Sequence, residues 1–301
     1  MEATDIDLDA ERDSIETPIC KTGDIWLLGE HRLMCGDSTD ADAIVRLMDG
    51  EKADLLLTDP PYNVAVSNSK GKTIQNDDMP DADFLRFLES AFVAADASMR
   101  SGAAFYIWHA DSEGLNFRQA CKSAGWNVRQ NLVWVKNQAA LGWQDYQWKH
   151  ESCLYGWKDG AAHYFIKNRK QTTVIDDEIN IDLLSVDELR ELVRNAYELS
   201  TVMREDKPTK SADHPTMKPL NLIKRQVKNS TKRGWKVLDI FGGSGTTMLA
   251  CEELSRKCYM MELDERYVSV IINRYLNFTG RKDEIFCIRD GQKLTYDEVF
   301  N

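Results

Sequence analysis

The segment Asp59-Pro60-Pro61-Tyr62 places a carboxylate, a backbone carbonyl and an aromatic ring within four residues. It follows the apolar run 53–57, which predicts a buried strand that stops abruptly at the proline pair. The prolines lack backbone donors and fix φ, so these groups are held stiffly at the strand end. Such a set can grip a planar base that carries an amino group. The alternative is an ordinary strand-to-loop turn.

A second segment has the pattern of a strand, a glycine loop and a helix. The strand pattern ends at Asp239, and the loop contains Phe241-Gly242-Gly243-Ser244-Gly245. This arrangement brings backbone N–H groups close to a nucleotide-like ligand. Glu262, near the end of the next strand pattern, is spaced to accept hydrogen bonds from ribose hydroxyls. The glycine spacing fits neither G-x-G-x-x-G nor a P-loop, and a tight turn at positive φ is the alternative.

Together, the two segments resemble the motifs of the S-adenosylmethionine-dependent DNA amino-methyltransferases. In that family the first motif is catalytic and the glycine loop binds the cofactor. The catalytic motif comes first in this chain, and that order resembles the β class of the family. The resemblance extends over roughly residues 21–280, nearly the whole chain.

Two further blocks add to this resemblance. Gly36-Asp37-Ser38 resembles the element whose aspartate lies near the adenine of the cofactor, and residues 214–220 resemble the block that closes over its methionine end. The resemblance implies the catalytic residues Asp59, Pro60, Pro61 and Tyr62. It implies the cofactor-binding residues Asp37, Asp59, Thr216, Lys218, Asp239, Phe241, Gly243, Ser244, Gly245, Thr246 and Glu262.

These residue types suit methyl transfer to an exocyclic amino group, whose nitrogen is a poor nucleophile. Asp59 and the carbonyl of Pro60 would each accept one N–H and thereby localise the nitrogen lone pair. Tyr62 would stack on the base after it leaves the duplex. Aspartate at the start of the motif resembles the adenine-N6 enzymes more than the cytosine-N4 enzymes. We therefore predict site-specific methylation of adenine N6 in DNA.

Several alternatives stay open at this point. They are a cytosine-N4 enzyme, a catalytically silent DNA-binding regulator that keeps the cofactor site, and an enzyme for a protein or RNA amide. Methylation at carbon 5 of cytosine is disfavoured, because none of the seven cysteines follows a proline. Neither the cysteines nor the histidines show metal-ligand spacing, so we expect no metal.

Strand and helix patterns alternate along the chain, among them a helix at 41–48, a strand at 53–58 and a helix at 215–229, which predicts an α/β fold. The resemblance makes it a Rossmann-like methyltransferase fold: a mostly parallel sheet with helices on both faces, plus a small target-recognition insertion. We expect an acidic disordered tail over residues 1–20 and the catalytic half over 21–157. The target-recognition region would cover 158–213, and the cofactor-binding half 214–301.

The net charge of −11 at first argues against a DNA partner. Seven acids and one base lie within residues 1–16, however, and other segments are basic. Lys167, Arg169 and Lys170 are tentative DNA contacts, with a solvated face as the alternative. We predict double-stranded DNA as the partner, and the resemblance makes a homodimer the assembly to expect. No run is apolar enough to cross a membrane and no secretory signal is visible, so we expect a cytoplasmic protein.

Overall fold

The structure is a computed structural model that describes residues 8–64, 77–140, 145–167, 190, 202–204 and 218–299. Its strands are β1 Ile25–Leu28, β2 His31–Cys35, β3 Ala53–Thr58, β4 Met99–His109, β5 Asn127–Ala140, β6 Trp148–Trp157, β7 Val202–Arg204, β8 Lys236–Asp239, β9 Lys257–Glu262, β10 Ile285–Arg289 and β11 Gln292–Thr295. Its helices are α1 Leu8–Ser14, α2 Ala41–Met48, α3 Asp81–Ser98, α4 Gly114–Ser123, α5 Leu220–Ser230, α6 Thr246–Leu254, α7 Glu265–Thr279 and α8 Tyr296–Val299.

The strands form one sheet in the order β11-β10-β1-β2-β9-β8-β3-β4-β6-β5-β7. The five central strands, β2, β9, β8, β3 and β4, all run parallel. Antiparallel pairs flank them on both sides, through β1 and β10 on one side and β6 on the other. The predicted α/β fold with a parallel central sheet is confirmed.

The chain reverses its direction of travel across the sheet between β3 and β8. From β3 it crosses through α3 to β4 on one side, and from β8 it crosses through α6 to β9 on the other. β3 and β8 are parallel neighbours, with Leu55 opposite Val237. Ligands of open α/β sheets bind outside the carboxyl ends of the strands at such a switch point.

Apolar side chains of the central strands alternate between two cores. On one face Leu55 and Leu57 pack with residues of α5, α6 and α7. On the other face Leu56 packs with residues of α2, α3 and α4. Each of these leucines is at most 1% exposed, and truncating such a residue typically costs roughly 2–5 kcal/mol. Helices therefore cover both faces, as predicted, and the strand that ends at Asp59 is firmly anchored.

The amino-terminal segment differs from the prediction of a disordered tail over residues 1–20. In the described part it contains the helix α1, from which Arg12 donates a hydrogen bond to the Tyr267 hydroxyl at 3.0 Å. Ile15 packs on the buried Val270 of α7. The acidic composition suggested disorder, but composition does not show that specific residues find partners on a distant helix.

Two further predictions need comment. A helix was expected over residues 215–229, but α5 begins only at Leu220, because Pro219 caps its start in an extended conformation. Residues 215–217 lie outside the described residues. So does most of the predicted target-recognition region, of which 158–167, 190 and 202–204 are described. No helix in the described ranges is long and apolar enough to span a membrane.

Candidate active site

A cavity of about 580 Å³ lies at the carboxyl ends of β3 and β8, at the switch point of the sheet. Its volume is typical of sites for small molecules and cofactors. Twelve predicted site residues line it, namely Asp37, Asp59, Pro60, Pro61, Tyr62, Lys218, Asp239, Phe241, Gly243, Ser244, Thr246 and Glu262. Of the remaining predicted residues, Gly245 does not line the cavity, and Thr216 lies outside the described residues.

The Asp59 carboxylate is the centre of a hydrogen-bonded network. Its Oδ2 accepts a hydrogen bond from Lys218 Nζ at 2.6 Å, and its Oδ1 accepts one from the Tyr62 hydroxyl at 2.7 Å. Lys218 also donates to the Tyr62 hydroxyl oxygen at 3.0 Å. The Asp59 side chain is 30% exposed and that of Lys218 only 4%. A carboxylate at the cavity wall is thus held by one donor from its own motif and one from a distant segment.

The electrostatics of this network follow from burial and charge. Desolvation raises the pKa of Asp59, against the opposing charge of Lys218, and the negative charge of Glu151 raises it further. Burial alone would lower the pKa of Lys218, but the charges of Asp59 and Glu151 raise it above its usual value. Burial and the same two carboxylates raise the pKa of Tyr62 well above 10. Lys218 is therefore charged and Tyr62 remains a hydroxyl donor near neutral pH.

The glycine loop positions backbone against the cavity. Gly243 has a φ of +50°, and a side chain there would meet no atom within 4 Å, because the residue faces open space. Gly245 has a φ of +80° and caps the start of α6. Its Cα lies against α7, where an added Cβ would approach Ile271 to 3.0 Å. Gly243 therefore faces the space for a ligand, whereas Gly245 serves the turn and the packing of α7.

Two acids, the buried Asp239 and the partly buried Glu262, end the neighbouring strands β8 and β9. Glu262 accepts hydrogen bonds from the N–H groups of Gly243 at 2.7 Å and of Asp264 at 2.9 Å. Burial nevertheless raises the pKa of Glu262 to about 7. Burial likewise raises the pKa of Asp239 to about 7, although Thr247, Phe241 and Thr58 donate to its carboxylate.

The segment after β2 is tied to the glycine loop. The Ser38 hydroxyl donates to the carbonyl of Ile240 at 2.5 Å. Asp37 is exposed, and its Oδ1 accepts hydrogen bonds from the backbone N–H and the hydroxyl of Thr39, both at 2.8 Å. The Ser38 contact holds residues 36–38 beside the glycine loop, as expected if this segment contributes to the same cavity.

Sequence reasoning missed several residues of the site, among them Arg12, Tyr267, Thr247 and Glu151. Arg12 and Tyr267 line the cavity from α1 and α7, and Thr247 lines it beside Asp239. Glu151 reaches the catalytic network from β6, with Oε2 3.1 Å from Lys218 Nζ. The position of Thr247 beside the glycine loop could have signalled it. The other three belong to no local motif.

Lys167 is not near this cavity, although it was a tentative DNA contact. The preceding Ile166 donates its N–H to the carbonyl of Asn229 at 2.8 Å, at the end of α5. Lys218 lies just before the start of that helix, and a helix of 11 residues is about 16 Å long. Lys167 therefore lies toward the end of α5 that is far from Lys218. Arg169 and Lys170 lie outside the described residues.

A family model described as "DNA methylase", for the N6/N4 methyltransferases, matches residues 53–274. The chain belongs to this family. Among its relatives, the type II methyltransferase M2.DpnII of Streptococcus pneumoniae is 24% identical over 253 residues, covering 78% of this chain and 87% of the relative. M.HpaI of Haemophilus parainfluenzae is 25% identical over 253 residues, covering 81% and 74%.

Solved structures of DNA methylases share the fold. The M1.HpyAVI–SAM complex superposes with a TM-score of 0.56 at 21% identity, covering 80% of this chain and 97% of that one. The PvuII DNA methyltransferase, specific for cytosine N4, superposes with a TM-score of 0.54 at 14% identity, covering 86% and 95%. The predicted family, its fold and its cofactor S-adenosylmethionine are confirmed, while the choice between adenine and cytosine is not resolved.

The charges of the cavity suit a cationic cofactor. Acids that line it are Asp37, Asp59, Asp77, Asp239, Glu262 and Asp264, and Arg12 and Lys218 are the cations among the described lining residues. S-adenosylmethionine carries a positive sulfonium and a positive ammonium, so an acidic wall attracts it. The open space beside Gly243 allows close approach of backbone to the ligand.

Proposed function

We propose that this DNA methylase transfers a methyl group to the exocyclic N6 of adenine within a specific sequence of double-stranded DNA. The observation that carries the proposal is the Asp59 carboxylate, which lines the same cavity as the glycine loop and Glu262. An acceptor for an amino group and a binding loop for a methyl donor thus share one space. Aspartate at this position supports adenine over cytosine through its resemblance to the adenine enzymes.

Asp59 and the carbonyl of Pro60 would accept the two N–H groups of the adenine amino group. When bound, S-adenosylmethionine would supply a methyl group on a positively charged sulfur. The base nitrogen would attack the methyl carbon, and the bond from that carbon to sulfur would break. Asp59 would then stabilise the positive charge on that nitrogen until a proton is lost. Positioning of this kind supplies up to ~7–11 kcal/mol in favourable cases.

The cofactor would be held by groups on both sides of the switch point. Glu262 would accept from the ribose hydroxyls, as its place after β9 suggests. Gly243 and Ser244 would bring backbone close to the ligand, and Asp37 would lie near the adenine of the cofactor. The acids Asp239 and Asp59 would face its positive charges.

Tyr62 would contact the flipped base. In the structure its hydroxyl is turned onto Asp59, and its ring meets Phe117 edge-on with centroids 6.5 Å apart. A ring held from both ends is preorganised, which lowers the entropic cost of stacking on a base.

Labelled cofactor and unmethylated duplex DNA provide the test, followed by digestion and mass spectrometry of the nucleosides. We expect N6-methyladenine. N4-methylcytosine alone would contradict the adenine target and favour the second candidate function, methylation of cytosine N4. The PvuII DNA methyltransferase, which shares the fold, is specific for that atom. Label on protein but not on DNA would contradict the DNA substrate. Sequencing of the methylated DNA would give the recognised site.

A homodimer stays a prediction, supported by the resemblance to the β class. Sedimentation velocity of the full chain, with and without duplex DNA, measures the assembly directly. A single monomeric species at micromolar concentration would contradict it.

A further inference from the structure

Glu151 lies beside the catalytic carboxylate although it belongs to none of the motifs. It is on β6, whose next residue, Ser152, pairs with His109 at the end of β4. Glu151 therefore projects at the carboxyl edge of the central strands, where Asp59 follows β3. Its side chain is only 12% exposed. A carboxylate so deeply placed in a protein needs compensating partners.

Those partners are two ammonium groups and a hydroxyl. Glu151 Oε1 lies 2.5 Å from Lys136 Nζ, and Oε2 lies 3.1 Å from Lys218 Nζ. The Tyr62 hydroxyl is 3.4 Å from the same Oε2. Burial alone would raise the pKa of Glu151, but the charges of Lys218 and Lys136 hold it below its usual value. Glu151 is therefore ionised beside Asp59.

Both donors that reach Glu151 Oε2 are the donors that occupy Asp59. Lys218 holds Oδ2 of Asp59 at 2.6 Å, and the Tyr62 hydroxyl holds Oδ1 at 2.7 Å. The proposed mechanism needs one of these oxygens to accept an N–H of the base. A carboxylate oxygen can accept a second hydrogen bond, but one that keeps a close ammonium or hydroxyl is a weaker and more crowded acceptor for the base. A donor that moves away needs another acceptor, because an unpaired buried ammonium or hydroxyl is costly.

We propose that Glu151 is a positioning residue that receives a donor from Asp59 when the base enters, and so exposes the catalytic oxygen. This inference rests on the proposed function of the site. Lys218 needs only a small shift, since it already lies within 3.1 Å of Glu151. Glu151 is charged, mainly through Lys218, which makes it a competitive acceptor, while Lys136 binds its other oxygen. Glu151 itself touches neither the base nor the methyl group.

The pH dependence of methyl transfer distinguishes this role from a purely structural one. The titratable groups that face Asp59 and Glu151 are Lys218, Lys136, Tyr62, Asp239 and Cys153. Of these, Lys218 opposes protonation of Asp59, whereas the negative charge of Glu151 favours it. Without the Glu151 charge, Lys218 would pair with Asp59 alone. Asp59 would then stay ionised to lower pH, but the Lys218 ammonium would still occupy the oxygen that the base needs.

Glu151→Gln is the direct test, with single-turnover methyl transfer measured across about pH 5 to 9. Glutamine keeps the shape and removes the charge. We expect the plateau rate to fall by about 10²-fold, since misplacement of reacting groups has effects of that size. We also expect the acidic limb of the profile to move down by about one pH unit. A lower rate combined with a more acidic limb is the signature of the proposal.

Lys136→Met supplies an opposite test that does not depend on the glutamine variant. Without the Lys136 charge, Glu151 would draw Lys218 away from Asp59, so the acidic limb should move to higher pH. Asp159→Asn is the matched control. Asp159 follows the far end of β6 and its ion pair with Arg129 is exposed, so its profile should match the wild type. Cofactor affinity and thermal unfolding confirm that each variant is folded.

A fall in rate with an unmoved limb in both Glu151→Gln and Lys136→Met would overturn the inference and leave Glu151 as a structural residue. So would a wild-type rate in Glu151→Gln. If wild-type protein methylates no adenine in DNA, the proposed function fails instead, and that result is read from the wild type before any variant. The two failures are therefore distinguishable.

Discussion

The Asp59 side chain combines hydrogen-bond acceptor oxygens with exposure to the cavity, the two properties that an acceptor for an amino group needs. It is held by two donors but is still 30% exposed. Asp59→Ala should reduce methyl transfer by about 10²–10⁴-fold, the range for loss of an acid–base group. Lys218 keeps Glu151 as a partner, so the fold should survive. Most of the cofactor affinity should remain, because Asp239, Glu262 and the glycine loop are unchanged. Radiolabel transfer and calorimetry check both expectations, and full activity in this variant would refute the mechanism.

Glu262 is the corresponding residue in our proposal for cofactor binding. Its oxygens already accept two backbone N–H groups, and the carboxylate can accept further hydrogen bonds from ribose. Glu262→Gln should weaken S-adenosylmethionine binding about tenfold, equal to ~1.4 kcal/mol, because a hydrogen bond to a charged acceptor is lost. Titration calorimetry measures this. Asp283→Asn, at an exposed acid, is the control, and equal losses in both variants would exclude a specific role.

At the scale of elements, the glycine loop joins β8 to α6 with two glycines that have different tasks. Gly243 faces open space in the cavity, whereas Gly245 lies against Ile271 of α7. Both have positive φ, so a side chain at either position carries a backbone penalty of roughly 1–2 kcal/mol. The difference between two variants therefore reports the space around each residue.

Gly243→Trp should abolish measurable cofactor binding, because the indole would occupy the ligand space. Gly245→Ala should mainly lower the thermal unfolding temperature of the cofactor-free protein, because its Cβ would press on Ile271 at 3.0 Å. Calorimetry and thermal unfolding on both variants separate the two effects. Loss of affinity in Gly245→Ala at unchanged stability would contradict this division.

At the scale of the whole molecule, the acidic cavity links stability to pH. Burial raises the pKa of Glu262 from 4.5 to about 7 in the folded protein. The folded state therefore holds more protons than the unfolded state within this window, and stability falls as pH rises through it. A cationic cofactor reverses the trend, because it favours the ionised acids.

Comparison with Glu262→Gln isolates this contribution. As pH rises from 4.5 to about 7, the free energy of unfolding of the wild type should fall relative to the variant by on the order of 2 kcal/mol. Urea unfolding without cofactor at both ends of this window measures the difference. A difference that is constant with pH would show that Glu262 is ionised throughout.

Contiguous patterns allowed the sequence to predict the central strands and most of the site. Residues 53–58 were predicted as a strand and form β3, and the predicted helix at 41–48 is α2. Twelve of the predicted site residues line one cavity. Short motifs carry this information because the backbone itself fixes the positions of neighbouring residues.

The sequence by itself predicted the family and the chemistry that we propose: a carboxylate at a proline-stiffened strand end and a glycine loop for the methyl donor. Only the tertiary structure placed Glu151 beside Asp59, paired Lys136 with Glu151, and brought Arg12 to the cavity. These residues are far from the motifs in sequence, and their positions depend on strand order, register and helix docking. Local sequence patterns do not predict which buried charges form ion pairs. That pairing is decided when the sheet assembles and water is excluded from its carboxyl edge.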